Sequence, residues 1–162
     1  MSTTLEHSPV PSRHAVRTLI EGLVGRDMDI GDGSPIQPRT TNVVAVYVTD
    51  RLTTSALAIV DLEGAARLGG ALGMVPRVGV DDSIAERDLT NVLRGNCYEV
   101  LNVLSAAFNL PNHPHVRLYE MYGPNAAIPS DVAVLAGQPV SRMDLRFTLA
   151  GYGNGNLSIV CR

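Results

Sequence analysis

The sequence predicts an α+β fold in which helices pack on one face of an antiparallel sheet. Two apolar, β-branched runs form a hairpin in the first half of the chain, and helical patterns lie on either side of it. A long amphipathic pattern then precedes segments in which apolar and polar residues alternate, as in half-buried strands. Helices and strands that are grouped along the chain in this way favour the α+β class.

The length of 162 residues is that of one domain, long enough to bury a substantial core. We predict that residues 1–12 form a flexible arm, because they are short of apolar residues and contain two prolines. Residues 13–162 are then predicted to form the single α+β domain.

Composition excludes several classes of partner. The net charge is −3 and the sequence contains no Trp and only two Phe, which argues against nucleic acid and anionic membranes. No apolar run approaches the roughly 18 residues of a membrane span, and no signal-peptide pattern is found at the start. Cys97 and Cys161 follow no pairing or metal-binding pattern, so we expect reduced thiols in a cytoplasmic protein.

The first half of the chain predicts two helices, a short strand and the hairpin. The first helix covers residues 14–25, and a strand is predicted at 28–30. Residues 42–48 and 53–60 form the hairpin, and the second helix covers 62–73 with Asp61 as its cap. Gly69 and Gly70 inside that helix predict that another element crosses it at close range.

Residues 83–109 are predicted to form one long helix, which begins with a capping box made by Ser83 and Glu86. Seven apolar residues fall on one stripe of this helix and are predicted to face the core: Leu89, Leu93, Cys97, Val100, Leu104, Ala107 and Phe108. The opposite side carries Asp88, Asn91, Gly95, Glu99, Asn102 and Ala106.

Glu99 and Asn102 are the candidate functional pair. They are three residues apart, so their Cβ atoms are expected to lie roughly 5–6 Å apart on one face. Gly95 and Ala106 lie about one turn to either side, so another surface could approach the helix closely. A glycine inside a helix costs roughly 1 kcal/mol relative to alanine. The glycine at position 95 is explained either by a docking partner or by packing within the fold. For Glu99 and Asn102, the alternative is that they lie on an ordinary solvent-exposed face.

The last third predicts strands at residues 115–122, 143–149 and 157–161. Residues 123–137 are predicted to be a proline-rich connection in which 132–135 pair briefly. Asn154-Gly155 is the type I′ turn signal of a terminal hairpin.

The order of these elements resembles that of the CheX/CheC-like chemotaxis phosphatases over roughly residues 15–161. The resemblance includes the buried hairpin, the small-residue helix, the helix with a Glu-x-x-Asn pair in CYEVLNVLSAAF, and the two closing strands. It implies a phosphatase that hydrolyses the aspartyl phosphate of a response-regulator receiver domain. Asn102 would orient the attacking water, Glu99 would contact the receiver, and the receiver would supply the Mg²⁺, so that this chain itself binds no metal or cofactor.

Two departures from the family pattern are present. The small pair Ser105-Ala106 stands where a glycine often follows the motif, and Asp88-x-x-Asn91 repeats the acid-amide spacing upstream. We interpret Asp88 and Asn91, with Gly95 and Ala106, as docking positions rather than catalytic ones. Neither of the other predicted helices contains a Glu-x-x-Asn pair, so one site per chain is expected.

Other motifs favour ordinary structural roles. His113 and His115 have no nearby ligand in a metal-binding rhythm, and the Gly-x-Gly-x-Gly run at 151–155 joins two strands and opens no helix. Cys97 lies on the apolar stripe and lacks a basic neighbour there, so it is predicted to be a core residue.

A competing hypothesis from a different class is a non-catalytic binding or scaffolding module of the same fold. It would bind its partner without changing the lifetime of a phosphate. We also expect the sheet edge that the terminal hairpin is predicted to supply to allow a homodimer.

Overall fold

The computed structural model describes residues 7–138 and 141–162, and it confirms the predicted α+β class. Within these residues, six strands form one antiparallel sheet in the order β1-β5-β6-β3-β2-β4. The strands are β1 Met28–Asp32, β2 Val43–Thr49, β3 Thr54–Val60, β4 Val116–Tyr122, β5 Ser141–Leu149 and β6 Gly153–Cys161. The described helices are α1 Arg13–Val24, α2 Leu62–Gly73, α3 Arg77–Ala85, α4 Asn91–Leu104 and α5 Ser130–Gly137, with a 3-10 turn at Ser105–Ala107.

The predicted hairpin of β2 and β3 lies inside the sheet and is buried on both faces. Alternate residues of β2, such as Ala45 and Tyr47, belong to the core under helices α1, α2 and α4. Val44 and Val46 belong to a second core on the other face of the sheet. This two-sided burial explains why both strands are almost entirely apolar.

Helices α1 to α4 lie on one face of the sheet, as predicted, and α5 covers the opposite face. Val132, Leu135 and Ala136 of α5 pack on the second core. The prediction of a connection with brief pairing at 132–135 was therefore wrong. These residues follow Pro129, whose fixed φ suits a helix start, and they pack as a short helix.

The single helix predicted at residues 83–109 is interrupted. Ser83 lies inside α3, where its buried hydroxyl donates a hydrogen bond to the Asp88 carbonyl. Arg87 then adopts a left-handed φ of 55°, and the chain starts a new helix with Thr90 as the N-cap, whose hydroxyl accepts from Leu93 N at 3.2 Å. The predicted capping box at Ser83 and Glu86 was wrong, because the cap belongs to Thr90.

The terminal hairpin also turns at a different place. Leu149 pairs with Gly153, so the turn consists of residues 150–152, and Asn154 and Gly155 already belong to β6. A side chain at Gly155 would overlap the Phe147 ring and the Gly64 backbone, so the glycine serves strand-helix packing rather than a turn. The hairpin lies within the sheet; the outer strands of the order are β1 and β4.

The predicted N-terminal arm is only partly described, since residues 1–6 lie outside the described part of the chain. Ser8 is buried and its hydroxyl lies 2.7 Å from that of Ser55, and the Cys161 thiol donates to the Pro9 carbonyl at 3.5 Å. Residues 7–12 thus contact the domain. The domain boundary at residue 13 stays a prediction.

Candidate functional site

Helix α4 is fixed to the core by its inner side. The predicted stripe is confirmed, because all seven of its apolar residues are buried, including Leu89 before the helix and Phe108 after it. The hydroxyl of Tyr47 on β2 donates to the Leu101 carbonyl at 2.6 Å, and its ring lies 5.0 Å from that of Phe108. A strand of the central hairpin therefore holds α4 directly and limits its rotation.

Burial keeps the titratable groups beneath α4 neutral. Burial raises the pKa of the Tyr47 hydroxyl far above its ordinary value, so it remains a hydrogen-bond donor. Burial also raises the pKa of the Cys97 thiol to about 12, although the nearby Arg94 guanidinium acts in the opposite direction. A buried thiol with this pKa is a poor nucleophile at neutral pH, in agreement with its predicted core role.

The outer side of α4 presents the predicted pair to solvent. We call Asn91, Gly95, Glu99, Asn102 and Ala106 the α4 stripe; every one of these residues is exposed. None of the four ion pairs formed among residues 7–138 and 141–162 includes Glu99. The carboxylate and the amide are thus available to a partner.

Asn102 lies in the last turn of α4 and is exposed. Regular α-helix ends at Leu104, and the Ser105 hydroxyl donates to the Asn102 backbone carbonyl at 2.7 Å. The Ser105 backbone N–H also donates to this carbonyl, so the hydroxyl adds a second hydrogen bond where the helix ends. Ala106 lies in the 3-10 turn that follows and is exposed beside the pair.

Gly95 has open space where a side chain would stand. A Cβ atom built on it meets nothing within 4 Å, so no other described part of the fold occupies that position. Of the two explanations for a glycine here, packing within the fold is therefore excluded for the described residues. Close approach by a partner and a plain solvent-exposed surface are the two explanations left open.

Asp88 and Asn91 do not repeat the geometry of the pair. Asp88 lies in the loop before α4, where its carboxylate accepts from Leu89 N at 2.9 Å and from Asn125 Nδ2 at 3.2 Å. Asn91 is the first residue of the helix. The prediction that both lie on one helical face was wrong, because the break at Arg87 removes Asp88 from the helix.

Two exposed apolar side chains beside Gly95 were not singled out from the sequence. Val92 is 62% exposed and Tyr98 is 38% exposed, and they lie three residues before and after the glycine. On a helix, positions three apart are neighbours, so the bare backbone of Gly95 lies between two apolar walls. The signal was present in the sequence as apolar residues that do not fit the buried stripe.

Arg94 and Asn125 were also missed. The Arg94 guanidinium donates to the Gly123 carbonyl and to the Met121 carbonyl, each at 3.0 Å. Asn125 Nδ2 donates to the Arg87 carbonyl at 3.0 Å. These contacts join α4 and its preceding loop to the end of β4, and no local pattern in the sequence signals them.

The remaining motifs have structural roles. His113 Nδ1 lies 3.0 Å from the His7 carbonyl oxygen, and the described residues contain no cluster of three or more His, Cys, Asp or Glu side chains suited to a metal. Among the described residues, no helix is both long and apolar enough to cross a membrane.

Comparison with solved structures defines the class of fold, which is that of the FliM and FliY proteins and of CheX. The chain matches one chain of the structure described as "FliM-SpeE complex from H. pylori" with a TM-score of 0.59 at 6% identity, covering 91% of this chain and 80% of that one. It matches Thermotoga maritima FliY with a TM-score of 0.53 at 12% identity, covering 91% and 82%.

The CheX fold, whose element order the sequence resembles, is represented among these matches. The Borrelia burgdorferi structure described as a "CheX-CheY-BeF3-Mg+2 complex" has a TM-score of 0.51 at 9% identity, covering 91% of this chain and 93% of that one. The resemblance to CheX is confirmed at the level of the fold. No protein-family model matches the sequence, and a search of curated proteins finds no match.

Proposed function

We propose that this protein is a phosphatase that acts on the aspartyl phosphate of a response-regulator receiver domain. The observation that carries the proposal is the exposure of Glu99 and Asn102 on one turn of α4, next to the open position at Gly95. The CheX fold supports it, since the Borrelia structure of that fold is described as a complex with CheY.

The chemistry of the two side chains suits this reaction. Water must attack the phosphorus in line with the aspartyl oxygen, whose bond to phosphorus breaks. The Asn102 carbonyl oxygen accepts a hydrogen bond from that water, and its amide N–H donates to a phosphoryl oxygen. A neutral amide adds no negative charge beside the phosphoryl group, so positioning is gained without repulsion.

Glu99 supplies the docking contact. Its carboxylate lies one turn from Asn102 and pairs with a cationic group of the receiver, which fixes the register in which the amide enters. The receiver supplies the Mg²⁺ that neutralises the phosphoryl charge, and this chain contributes no metal ligand. The open position at Gly95 lets the receiver surface approach the α4 backbone.

The direct test measures the decay of a phosphorylated receiver domain with wild type, Glu99→Ala and Asn102→Ala. We expect wild type to shorten the phosphate lifetime and Asn102→Ala to lose about 100-fold or more of that acceleration, since a positioning group of this kind is removed. Glu99→Ala is expected to raise KM.

Gln37→Ala is the matched control, because it removes another exposed side-chain amide, in the segment between β1 and β2 and not on the α4 stripe. We expect it to retain the wild-type kcat. If folded Glu99→Ala and Asn102→Ala variants both match wild type, the catalytic assignment is wrong.

A non-catalytic binding module is the second candidate. The specific observation in its favour is that the FliM-SpeE structure matches with a higher TM-score than the CheX-CheY structure, 0.59 against 0.51. If the protein is a binding module, a partner binds the α4 stripe and the phosphate lifetime does not change. A homodimer is proposed only through the outer strands β1 or β4, since the terminal hairpin lies inside the sheet.

A further inference from the structure

Arg94 connects the candidate helix to the outer strand of the sheet. Its side chain leaves α4 next to Gly95 and is half-buried. Nη1 donates to the Gly123 carbonyl and Nη2 to the Met121 carbonyl, each at 3.0 Å. Both acceptors lie at the end of β4, which pairs with β2 alone among the described strands. The planar guanidinium thus makes two parallel contacts with fixed backbone groups.

Asn125 makes a second connection, to the loop that precedes α4. Its side-chain amide donates to the Arg87 carbonyl at 3.0 Å and to the Asp88 carboxylate at 3.2 Å. Arg87 has a left-handed φ of 55°, and the chain reverses there between α3 and α4. The segment after β4 therefore holds both the loop that begins α4 and the first turn of the helix itself.

We propose that Arg94 and Asn125, which we call the α4 anchor, are positioning residues for the pair on the α4 stripe. This inference rests on the proposed function. Tyr47 and the buried stripe hold the inner side of α4, and the α4 anchor holds its N-terminal flank against β4. Contacts on two sides of one helix fix its rotation about its axis, and that rotation decides where Asn102 points.

The choice of arginine supports a directional role. Arg94 lies one residue before Gly95 and five before Glu99, so a rotation of the helix at Arg94 moves the whole stripe. A guanidinium that donates to two carbonyls resists such rotation, whereas a lysine ammonium offers a point charge on a flexible stem. A displacement of about 1 Å at a reacting group is enough to cost about 100-fold in rate.

The experiment compares Arg94→Gln, Arg94→Lys and Asn125→Ala in steady-state kinetics on the phosphorylated receiver. We expect kcat to fall about tenfold or more in Arg94→Gln and less in Arg94→Lys, while KM changes by less than about threefold, because the docking side chains remain exposed. The kcat of Asn125→Ala is expected to lie between those of Arg94→Gln and Arg94→Lys. An unchanged kcat in Arg94→Gln overturns the inference.

Arg142→Gln is the matched control for loss of stability. Arg142 also donates to a backbone carbonyl, that of Ala136 at 3.1 Å, and pairs with Asp144 at 3.0 Å, but it lies beneath α5 and not beside α4. We expect it to lower stability and leave kcat of the folded protein unchanged. An equal fall in kcat in Arg142→Gln also overturns the inference, because the effect would then be general.

A second readout separates this inference from the proposed function. Amide hydrogen exchange in the first two turns of α4 is expected to accelerate at least threefold in Arg94→Gln and to stay at the wild-type rate in Arg142→Gln. If wild type fails to shorten the phosphate lifetime, the proposed function fails, and the exchange rates still decide whether the α4 anchor exists. Equal exchange rates in wild type and Arg94→Gln overturn it.

Discussion

Helices α2 and α4 both contain glycine in their interiors, and the fold uses it in only one of them. In α2, a side chain at Gly69 would overlap the Leu93 carbonyl oxygen, because α4 crosses there. In α4, a side chain at Gly95 would meet nothing within 4 Å. In α2, close packing against α4 offsets the helix-propensity cost of glycine. In α4, no contact within the described fold offsets that cost.

This difference shows which of the two glycines the fold needs; Gly22 of α1 is as open as Gly95, so the case for Gly95 depends on its neighbours. Selection for stability alone favours alanine at an open helical position, since glycine costs roughly 1 kcal/mol there. Gly95 also lies one turn from Glu99 and between two exposed apolar side chains, Val92 and Tyr98. The position therefore fits a surface that another molecule approaches closely.

The largest effect on stability is expected at Gly69, where α4 leaves no room for a side chain. Gly69→Ala should lower the free energy of unfolding by about 3 kcal/mol, because the new methyl group meets rigid backbone of α4. Urea denaturation monitored by circular dichroism measures the loss. A stability equal to wild type would show that α2 and α4 do not cross as closely as described.

The buried side of α4 is tested by its pH dependence. Burial raises the pKa of Cys97 to about 12, so the unfolded chain loses this proton first as the pH rises past about 9. The stability contributed by the neutral thiol is therefore complete below pH 9 and falls between about 9 and 12, at up to about 1.4 kcal/mol per pH unit.

Cys97→Ala should lack this part of the slope and wild type should retain it, whereas Cys161→Ala loses a part of its own, because burial raises the pKa of that thiol to about 12 as well. Denaturation under reducing conditions at pH 8, 9 and 10 gives the comparison. Identical slopes for wild type and Cys97→Ala would mean that the thiol is not buried in the folded state.

A smaller and opposite effect is expected at the open glycine. Gly95→Ala should raise the free energy of unfolding by about 1 kcal/mol, because it removes the helix cost without a clash. The same variant should dephosphorylate the receiver more slowly, since the added methyl group keeps the partner away from the helix. A gain in stability with full activity would leave Gly95 without a docking role.

The smallest effect on stability is expected at the pair itself. Glu99→Gln and Asn102→Ala should each stay within about 0.5 kcal/mol of wild type, because both side chains are exposed and no ion pair among the described residues includes Glu99. Thermal unfolding checks this. A loss of 2 kcal/mol or more would assign these residues to the fold rather than to a partner.

Periodicity in the sequence was sufficient to predict the elements that face a single core. The alternation in residues 143–149 and the stripe from Leu89 to Phe108 depend only on which residues are apolar, and the structure buries both as predicted. The exposed side of α4 from Asn91 to Asn102 agrees with the pattern, although the helix was assigned too long and Asp88 lies outside it.

Contacts between distant segments were not predictable in the same way. The break between α3 and α4 depends on the Ser83 hydroxyl bonding the Asp88 carbonyl and on Asn125 bonding the Arg87 carbonyl, 38 residues away along the chain. Helix α5 is short and apolar on most sides, so its pattern did not distinguish a helix from a paired segment. The turn at 150–152 was masked by the stronger local signal of Asn154-Gly155, which the fold uses for packing against α2.

The proposed function requires the receiver to meet the outer side of α4, and hydroxyl-radical footprinting of tyrosines tests this most directly. Tyr98 lies beside the α4 stripe and is 38% exposed, whereas Tyr119 lies on β4 and is 53% exposed. When a phosphorylated receiver binds, we predict that oxidation of Tyr98 falls several-fold and that of Tyr119 stays at its free rate. Protection of Tyr119 with Tyr98 unchanged would contradict the proposal that α4 carries the site.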